Sequence, residues 1–237
     1  MAEPGRTFGH VAEAYDRTRP AYGVAVLDRA ASLLELGPDA TVVDLAAGTG
    51  KLTSALGVRF ARVIAVEPDD AMRAYIAGES LAGSAEAIPL ADDAVDAVFV
   101  GEAFHWFDWE RALAEIQRVV RPGGGLAVIA RSWGEQEQPG LLPEDFKDEL
   151  DEIWARFHPA AREFPDWVAI AALSGPERFV DTARLSGRDL VDLHLTASTP
   201  ASIGGEERAA IAARVYPLME PAYDLRVVTT LYWRRFP

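Results

Sequence analysis

Between Thr41 and Val66 the chain switches from strand-like to helix-like patterning and back across a glycine turn, and this alternation restricts the fold more than any other feature. Thr41–Leu45 (TVVDL) is short, apolar and β-branched, as expected of a strand buried on both faces. AAGTG follows, then a helical stretch over Leu52–Phe60 and a second strand over Arg62–Val66 (RVIAV). Strands joined through a helix run parallel, and the pattern continues in both directions. Upstream, Val26, Leu27, Ala30, Ala31, Leu33 and Leu34 recur at helical spacing within Ala25–Leu36, until Gly37-Pro38 stops the helix. Downstream, Met72–Ala77 suits a helix, Ser80–Ala85 a short strand and Ala94–Val100 a clear one. Trp109–Val120 is an amphipathic helix ended by Pro122 and the glycines after it, and Leu126–Ala130 is a fifth strand. The expected class is α/β: a Rossmann-like, doubly wound and mostly parallel sheet with helices on both faces.

Beyond Arg131 the texture changes. Glu135–Pro143 is rich in Glu, Gln, Pro and Gly, and the next helical stretch carries Phe146, Leu150, Ile153, Trp154 and Phe157 on one face. This reads as a helical cap inserted over residues 132–178, with Phe164, Trp167 and Phe179 adding bulk, although such stripes serve more often as core than as ligand sites. Val180–Leu185 reads as a strand, Glu206–Met219 as a helix and Arg226–Phe236 as a closing strand. The alternation of Val227, Thr229, Leu231 and Trp233 has the period of an antiparallel strand. A wound sheet can hold all 237 residues in one domain: an N-terminal lid over 1–24, a core over 25–131, the cap, and C-terminal strands and helix over 179–237.

Composition narrows the partners. Lys and Arg total 23 against 37 Asp and Glu, a formal charge of -14, so the average surface repels phosphate backbones and anionic lipid. Neither nucleic acid nor a membrane is expected as a partner. There is no cysteine, which removes thiolate catalysis, and His10, His105, His158 and His194 are too dispersed to suggest a metal site. The opening MAEPGRTFGH lacks the blocks of a signal peptide and no apolar run is long enough to span a bilayer, so a cytoplasmic address is expected, as monomer or homodimer.

The chemistry concentrates in Val42–Gly50 (VVDLAAGTG). Gly48 and Gly50 let backbone approach a ligand, and Glu67 ends the next strand 17 positions after Gly50. In wound sheets this puts a ligand at the carboxyl ends of the strands, with the acid available to a ribose diol. A nucleoside-bearing cofactor follows. A dinucleotide fingerprint would need glycine where Thr53 stands, and a phosphate loop would need glycine at Leu45 and Ser or Thr at Leu52. The turn taken alone equally suits a purely structural role.

VVDLAAGTG, VIAVEPDDAM, GSAEAIPLADDAVDAVFVGEAFHWF and RVVRPGGGLAVI, in this order, resemble the successive motifs of class I S-adenosylmethionine-dependent methyltransferases. The likeness covers about Phe8 to Arg131 and points to the small-molecule branch, which includes ubiquinone-biosynthesis and trans-aconitate methyltransferases. FGHVAEAYDRTRPAY and AFHWF lie toward the trans-aconitate-like side. The resemblance implies a seven-stranded sheet ordered 3-2-1-4-5-7-6 with the seventh strand antiparallel, and S-adenosyl-L-methionine as cofactor. It implies that Asp44, Ala46, Gly48 and Gly50 line the methionine part and that Glu67 takes the ribose hydroxyls. Pro68 and Met72 would pack on the adenine, Ala85 and Glu86 would lie beside it, and Glu102, Ala103 and Phe104 would follow strand four near the sulfonium. Arg19, with Tyr15 beside it, would pair with the cofactor carboxylate, Arg17 being its rival. Two positions depart from the pattern: Ala46 replaces a usual glycine, and Ser84 an aspartate that often reads the adenine amine.

Methyl transfer from a sulfonium depends on alignment and desolvation, so a base is optional. A carboxylate acceptor needs none, whereas a hydroxyl or amine benefits from one, for which His105 and Glu102 are the candidates. His105 is either that base or a wall of the pocket. The expected function is methylation of a small organic molecule, more readily on oxygen than on carbon or nitrogen. A NAD-dependent oxidoreductase and a non-catalytic, cofactor-binding protein are the alternatives that the fold leaves open.

Overall fold

A computed structural model describes residues 11–157, 166–197 and 199–237; His10, His158, Phe8 and Phe164 lie outside the described residues. The strands are β1 (Thr41–Leu45), β2 (Arg62–Val66), β3 (Ser80–Leu81), β4 (Val95–Gly101), β5 (Val120–Ser132), β6 (Ser174–Ser186) and β7 (Ala222–Arg235). They form one sheet in the order β3-β2-β1-β4-β5-β7-β6. The first five are mutually parallel, and β7 runs antiparallel to both β5 and β6. The topology is the one the family resemblance implies.

Helices α1 (Ala12–Thr18), α2 (Val24–Leu33), α3 (Lys51–Gly57), α4 (Asp70–Arg73) and α5 (Trp109–Val119) accompany the parallel half. Two apolar layers explain why its strands read as unbroken apolar runs. Along β4, Val98 and Val100 join Val43, Leu45, Ile116 and Leu126 on one side, while Ala97 and Phe99 join Val42, Leu27, Leu34, Leu52 and Ile129 on the other. The strands are therefore largely apolar on both faces, and no period-two pattern survives there.

The second half adds α6 (Glu144–Phe157), α7 (Trp167–Ile170), α8 (Gly187–Leu195) and α9 (Gly205–Val215). Phe146 and Ile153 of α6 pack with Leu190, Leu193, Ile211, Val215 and Leu225 in a third cluster. The cap helix thus shares a core with helices well beyond residue 178. Trp154 and Phe157, which the spacing puts on the same face, are exposed, so the buried stripe of the helix is narrower than that face. Phe179 packs toward the second layer, and Trp167 against Phe104 and Tyr232, so neither forms a free pocket roof.

Several boundaries differ from expectation for local reasons. The helix expected over Met72–Ala77 is α4, four residues starting earlier, because the Asp69 carboxylate caps it through Ala71 N and Met72 N. Strand pairing expected to Ala85 stops at Leu81, and Ser84 instead turns back on Ala87. The fifth strand begins at Val120 and not at Leu126: Val95 pairs with Val120 and Ala97 with Gly125, so the proline and glycines between them bulge out of the ladder without ending it. Helix α8 had no counterpart in the sequence reading, although Ser186 caps it by accepting from Asp189 N, a serine-to-acid spacing that was legible. No helix among the described residues is long and apolar enough to cross a membrane.

Candidate active site

The turn from β1 into α3 is built from left-handed backbone. Ala46 (φ 57), Gly48 (φ 57) and Gly50 (φ 83) reverse the chain in five residues. A Cβ at Gly50 would also press on Ile76 at 3.2 Å. Ala46 keeps the conformation expected of the usual glycine at a cost of about 1–2 kcal/mol. A non-glycine residue held there by its surroundings is a mark of a functional turn.

Two acids stand beneath this turn. Asp44 is buried at the end of β1 and accepts from the Thr53 hydroxyl at 2.6 Å. Glu67, buried at the end of β2, accepts from Gly48 N at 2.8 Å and from Asp69 N at 2.9 Å, which ties the glycine turn to the next strand. Met72 closes the apolar side, its methyl group 3.9 Å from where a Gly48 Cβ would lie. Burial pushes the Asp44 carboxyl up to about 7, the Thr53 bonds opposing and the Glu67 charge adding to the rise. Burial also raises Glu67, against its two backbone donors.

A pH dependence follows for the ligand-free protein. Because the folded state holds the Asp44 proton more tightly than an unfolded aspartate near pH ~3.9, this group's stabilisation is full below that pH and is lost as pH rises toward about 7. Asp44→Asn, which keeps an acceptor for Thr53, is expected to gain melting temperature relative to wild type across that interval. Parallel curves for the two proteins would show that Asp44 ionises without penalty.

The ends of β4 and β5 carry a second group of side chains. Glu102, directly after β4, has φ 60, and its Oε1 accepts from Arg131 N near the end of β5. Burial raises its pKa while Arg131 and Arg19 draw it down. The Arg131 guanidinium lies 4.0 Å over the Tyr22 ring and 5.4 Å from that of Trp133, and it donates to Pro20 O at 2.7 Å. Arg19 follows α1, is 7% exposed, lies 4.5 Å over Tyr15 and 5.0 Å over Trp133, and donates to Thr196 O at 3.1 Å. Tyr22 is buried, and its hydroxyl approaches Gly101 so closely that a Cβ there would overlap it. Arg17, the rival of Arg19, points elsewhere, to Asp189 and Asp192 of α8.

The remaining candidates sit between or beside these groups. Pro68 is half-buried between Glu67 and Asp69, and Ala85 is buried in the first apolar layer. Glu86 accepts from Asp108 N at 3.1 Å, next to the start of α5, so one of its oxygens already has a structural role. Ala103 is half-buried, and His105 is exposed on the 3-10 turn Phe104–Trp106, its ring 4.8 Å from that of Trp106. Desolvation holds the His105 pKa below the ordinary imidazole value. A cavity of about 530 Å³ lies on the α2–α3 side of the glycine turn, lined by Tyr22, Thr49, Gly50 and Tyr75 among others but not by Asp44, Glu67 or Met72. Thr53, Arg131 and Trp133 were missed by sequence reasoning. A charged residue closing the apolar run LAVIAR was the available signal for Arg131.

The donor set suits a cationic nucleoside. Asp44 and Glu67 are buried carboxylates within electrostatic reach of each other, and Arg73, which donates to the Glu67 carbonyl, tempers the rise of the Glu67 carboxyl. Each Glu67 oxygen has one backbone donor and keeps a lone pair for a hydroxyl. Met72 offers a polarizable apolar surface to a flat ring.

Comparison with known proteins agrees. The family described as Methyltransferase domain matches residues 43–128. An uncharacterized methyltransferase of Mycobacterium bovis is 42% identical over 139 residues, covering 56% of this chain and 54% of the relative; the chain thus spans about half the length of that relative. A malonyl-[acyl-carrier protein] O-methyltransferase of Yersinia pestis is 30% identical over 246 residues, 92% of this chain and 85% of the relative. In fold, a solved structure described as a candidate type II methyltransferase of Anaeromyxobacter dehalogenans superposes with TM-score 0.62 at 20% identity, over 92% of this chain and 99% of that one.

Proposed function

The chain belongs to the class I S-adenosylmethionine-dependent methyltransferases, and from that premise we propose that it methylates a carboxylate oxygen of a small organic acid. Family membership removes the oxidoreductase alternative. The observation that carries the choice of oxygen is the near full-length likeness to a malonyl-[acyl-carrier protein] O-methyltransferase. The charge of -14 supports a free acid over a polyanionic macromolecule.

In this reading Glu67 accepts the ribose hydroxyls, Met72 and Pro68 pack on the base, Ala85 and Glu86 flank it, and Asp44 with the Ala46–Gly50 turn holds the methionine part. The cofactor supplies an electrophilic methyl group, so the acceptor atom needs a free lone pair. Glu102, Ala103 and His105 then form the wall against which the acceptor is placed. The helical segment Ala12–Thr18 closes the site as a lid, and α6 bounds it as part of the cap.

The test is transfer of labelled methyl groups to a panel of small organic acids, followed by mild alkali. A methyl ester releases labelled methanol; label that survives alkali would place the methyl on nitrogen, carbon or an ether oxygen and overturn the proposal. His105→Phe supplies an independent check. A carboxylate is already ionised at neutral pH, so turnover is expected to stay within about 10-fold of wild type, whereas loss of a general base would cost about 10²–10⁴-fold. A fall of the larger size on the true acceptor would make His105 a base and the accepting group a hydroxyl or amine.

A further inference from the structure

Arg17 stands on α1, and its guanidinium reaches into a cluster of charges on α8. It pairs with Asp189, and its Nη2 donates to Asp192 Oδ2 at 2.5 Å. Each acid is also held by a hydroxyl: Ser186 donates to Asp189 at 2.7 Å, and Tyr216 donates to Asp192 Oδ1 at 2.7 Å. Arg188 in turn lies 4.4 Å over the Tyr216 ring. Three residues apart on one helix, Asp189 and Asp192 repel each other, in a chain whose formal charge is already -14. A cation between them removes that repulsion, and α1 supplies it.

The two sides of α1 are tied unequally. Toward the cofactor half, Asp16 pairs with Lys51, the residue after Gly50, at 3.2 Å, and these side chains are 35% and 32% exposed. Asp192 is 18% exposed and engages Arg17 and Tyr216 together. A single exposed pair is weak, whereas a partly buried network whose acids are already oriented is stronger. Directly after α1, Arg19 adds a bond of 3.1 Å to the carbonyl of Thr196, the residue that ends α8. Helix α1 is thus bound to the C-terminal half and rests on the cofactor half through a looser contact.

We propose that Arg17 is a positioning residue that couples the lid to α8, so that α1 cannot close over the cofactor without ordering α8 and the 3-10 turn Tyr216–Leu218. These elements share a core with the cap helix α6, so occupancy of the cofactor site is felt where the cap bounds the acceptor. The proposal rests on the reading of Ala12–Thr18 as a methyltransferase lid and adds the element that the lid carries with it. No step of the chemistry passes through Arg17. By reciprocity, an ordered α8 tightens the cofactor.

Amide hydrogen exchange on the whole chain, with and without S-adenosylhomocysteine, tests this. In the wild type the ligand is expected to slow exchange in Gly187–Leu195 and Tyr216–Leu218 by at least about 5-fold, together with Ala12–Thr18. In Arg17→Ala the slowing of α8 is expected to shrink to under about 2-fold, and calorimetry should show S-adenosylhomocysteine bound about 3–10-fold more weakly. Arg17→Lys keeps the charge but not the fork and should retain part of the response. Asp192→Asn, which leaves Tyr216 an acceptor, should lose part of it and keeps the test open if the alanine variant does not fold. A merely structural Arg17 would speed exchange in α8 equally with and without ligand; a ligand-induced ratio unchanged from wild type therefore overturns the proposal. So does a wild type that binds S-adenosylhomocysteine with no response in α8, which leaves the methyltransferase reading standing. A folded wild type that binds no S-adenosylhomocysteine overturns that reading and the coupling together.

Discussion

Glu67→Ala is expected to weaken S-adenosylhomocysteine binding by about 10–100-fold, from the loss of charge-assisted hydrogen bonds worth about 1.5–3 kcal/mol. Two effects add. The carboxylate no longer meets the ribose hydroxyls, and Gly48 N and Asp69 N lose the acceptor that ties the glycine turn to the start of α4. Glu67→Gln separates them, because an amide oxygen can still accept from one backbone donor while the charge is gone. Calorimetry with circular dichroism as a fold control decides the matter. Wild-type affinity in a folded Glu67→Ala protein would remove Glu67 from the cofactor site.

Phe99→Ala is expected to destabilise the fold by about 3–5 kcal/mol, the cost of a large aromatic-to-alanine cavity. Phe99 is fully buried near the centre of β4, its ring 5.8 Å from that of Phe60. Its backbone is the register partner of Asp44, so the cavity would open directly under the acid-bearing end of β1. For a chain of this size the melting temperature should fall by about 6–20 °C, and Phe99→Leu, which keeps most of the volume, by much less. A drop under about 1 kcal/mol in chemical denaturation would mean that the layer between α2, α3 and the sheet is not close-packed.

The parallel half of the molecule was legible in the sequence because its strands are short and apolar, and sharp turns bound them. Thr41–Leu45 and Arg62–Val66 coincide with β1 and β2 at both ends. β5 was not, since a proline and three glycines read as a terminator although the ladder resumes beyond them. Within the site, Asp44, Gly48 and Glu67 carry a local signature: a strand, a turn and an acid at fixed spacing. The hydrogen bond from Gly48 N to Glu67 realises that spacing in space. Arg19 and Glu102 are legible only through the family motifs, Arg131 only as a charge that closes an apolar run, and Trp133 not at all. They meet through the pairing of β4 with β5, which brings Glu102 to Arg131, and through the contacts of Arg19 with Thr196 and of Arg131 with Pro20, each of which spans more than a hundred residues.

The position of β7 between β5 and β6 has a consequence for how the chain acquires its fold during synthesis. β5 pairs with β4 on one side, and its other edge has no partner until Ala222–Arg235 has been made. β6, which precedes β7 in the chain, can join the sheet only through β7. About ninety residues separate the end of β5 from the start of β7, so a nascent molecule carries an open, apolar strand edge through the production of its whole second half. Unpaired edges of this kind template intermolecular pairing. A ribosome that stalls within the cap or α9 therefore releases a product whose first five strands are complete and whose sheet is still adhesive.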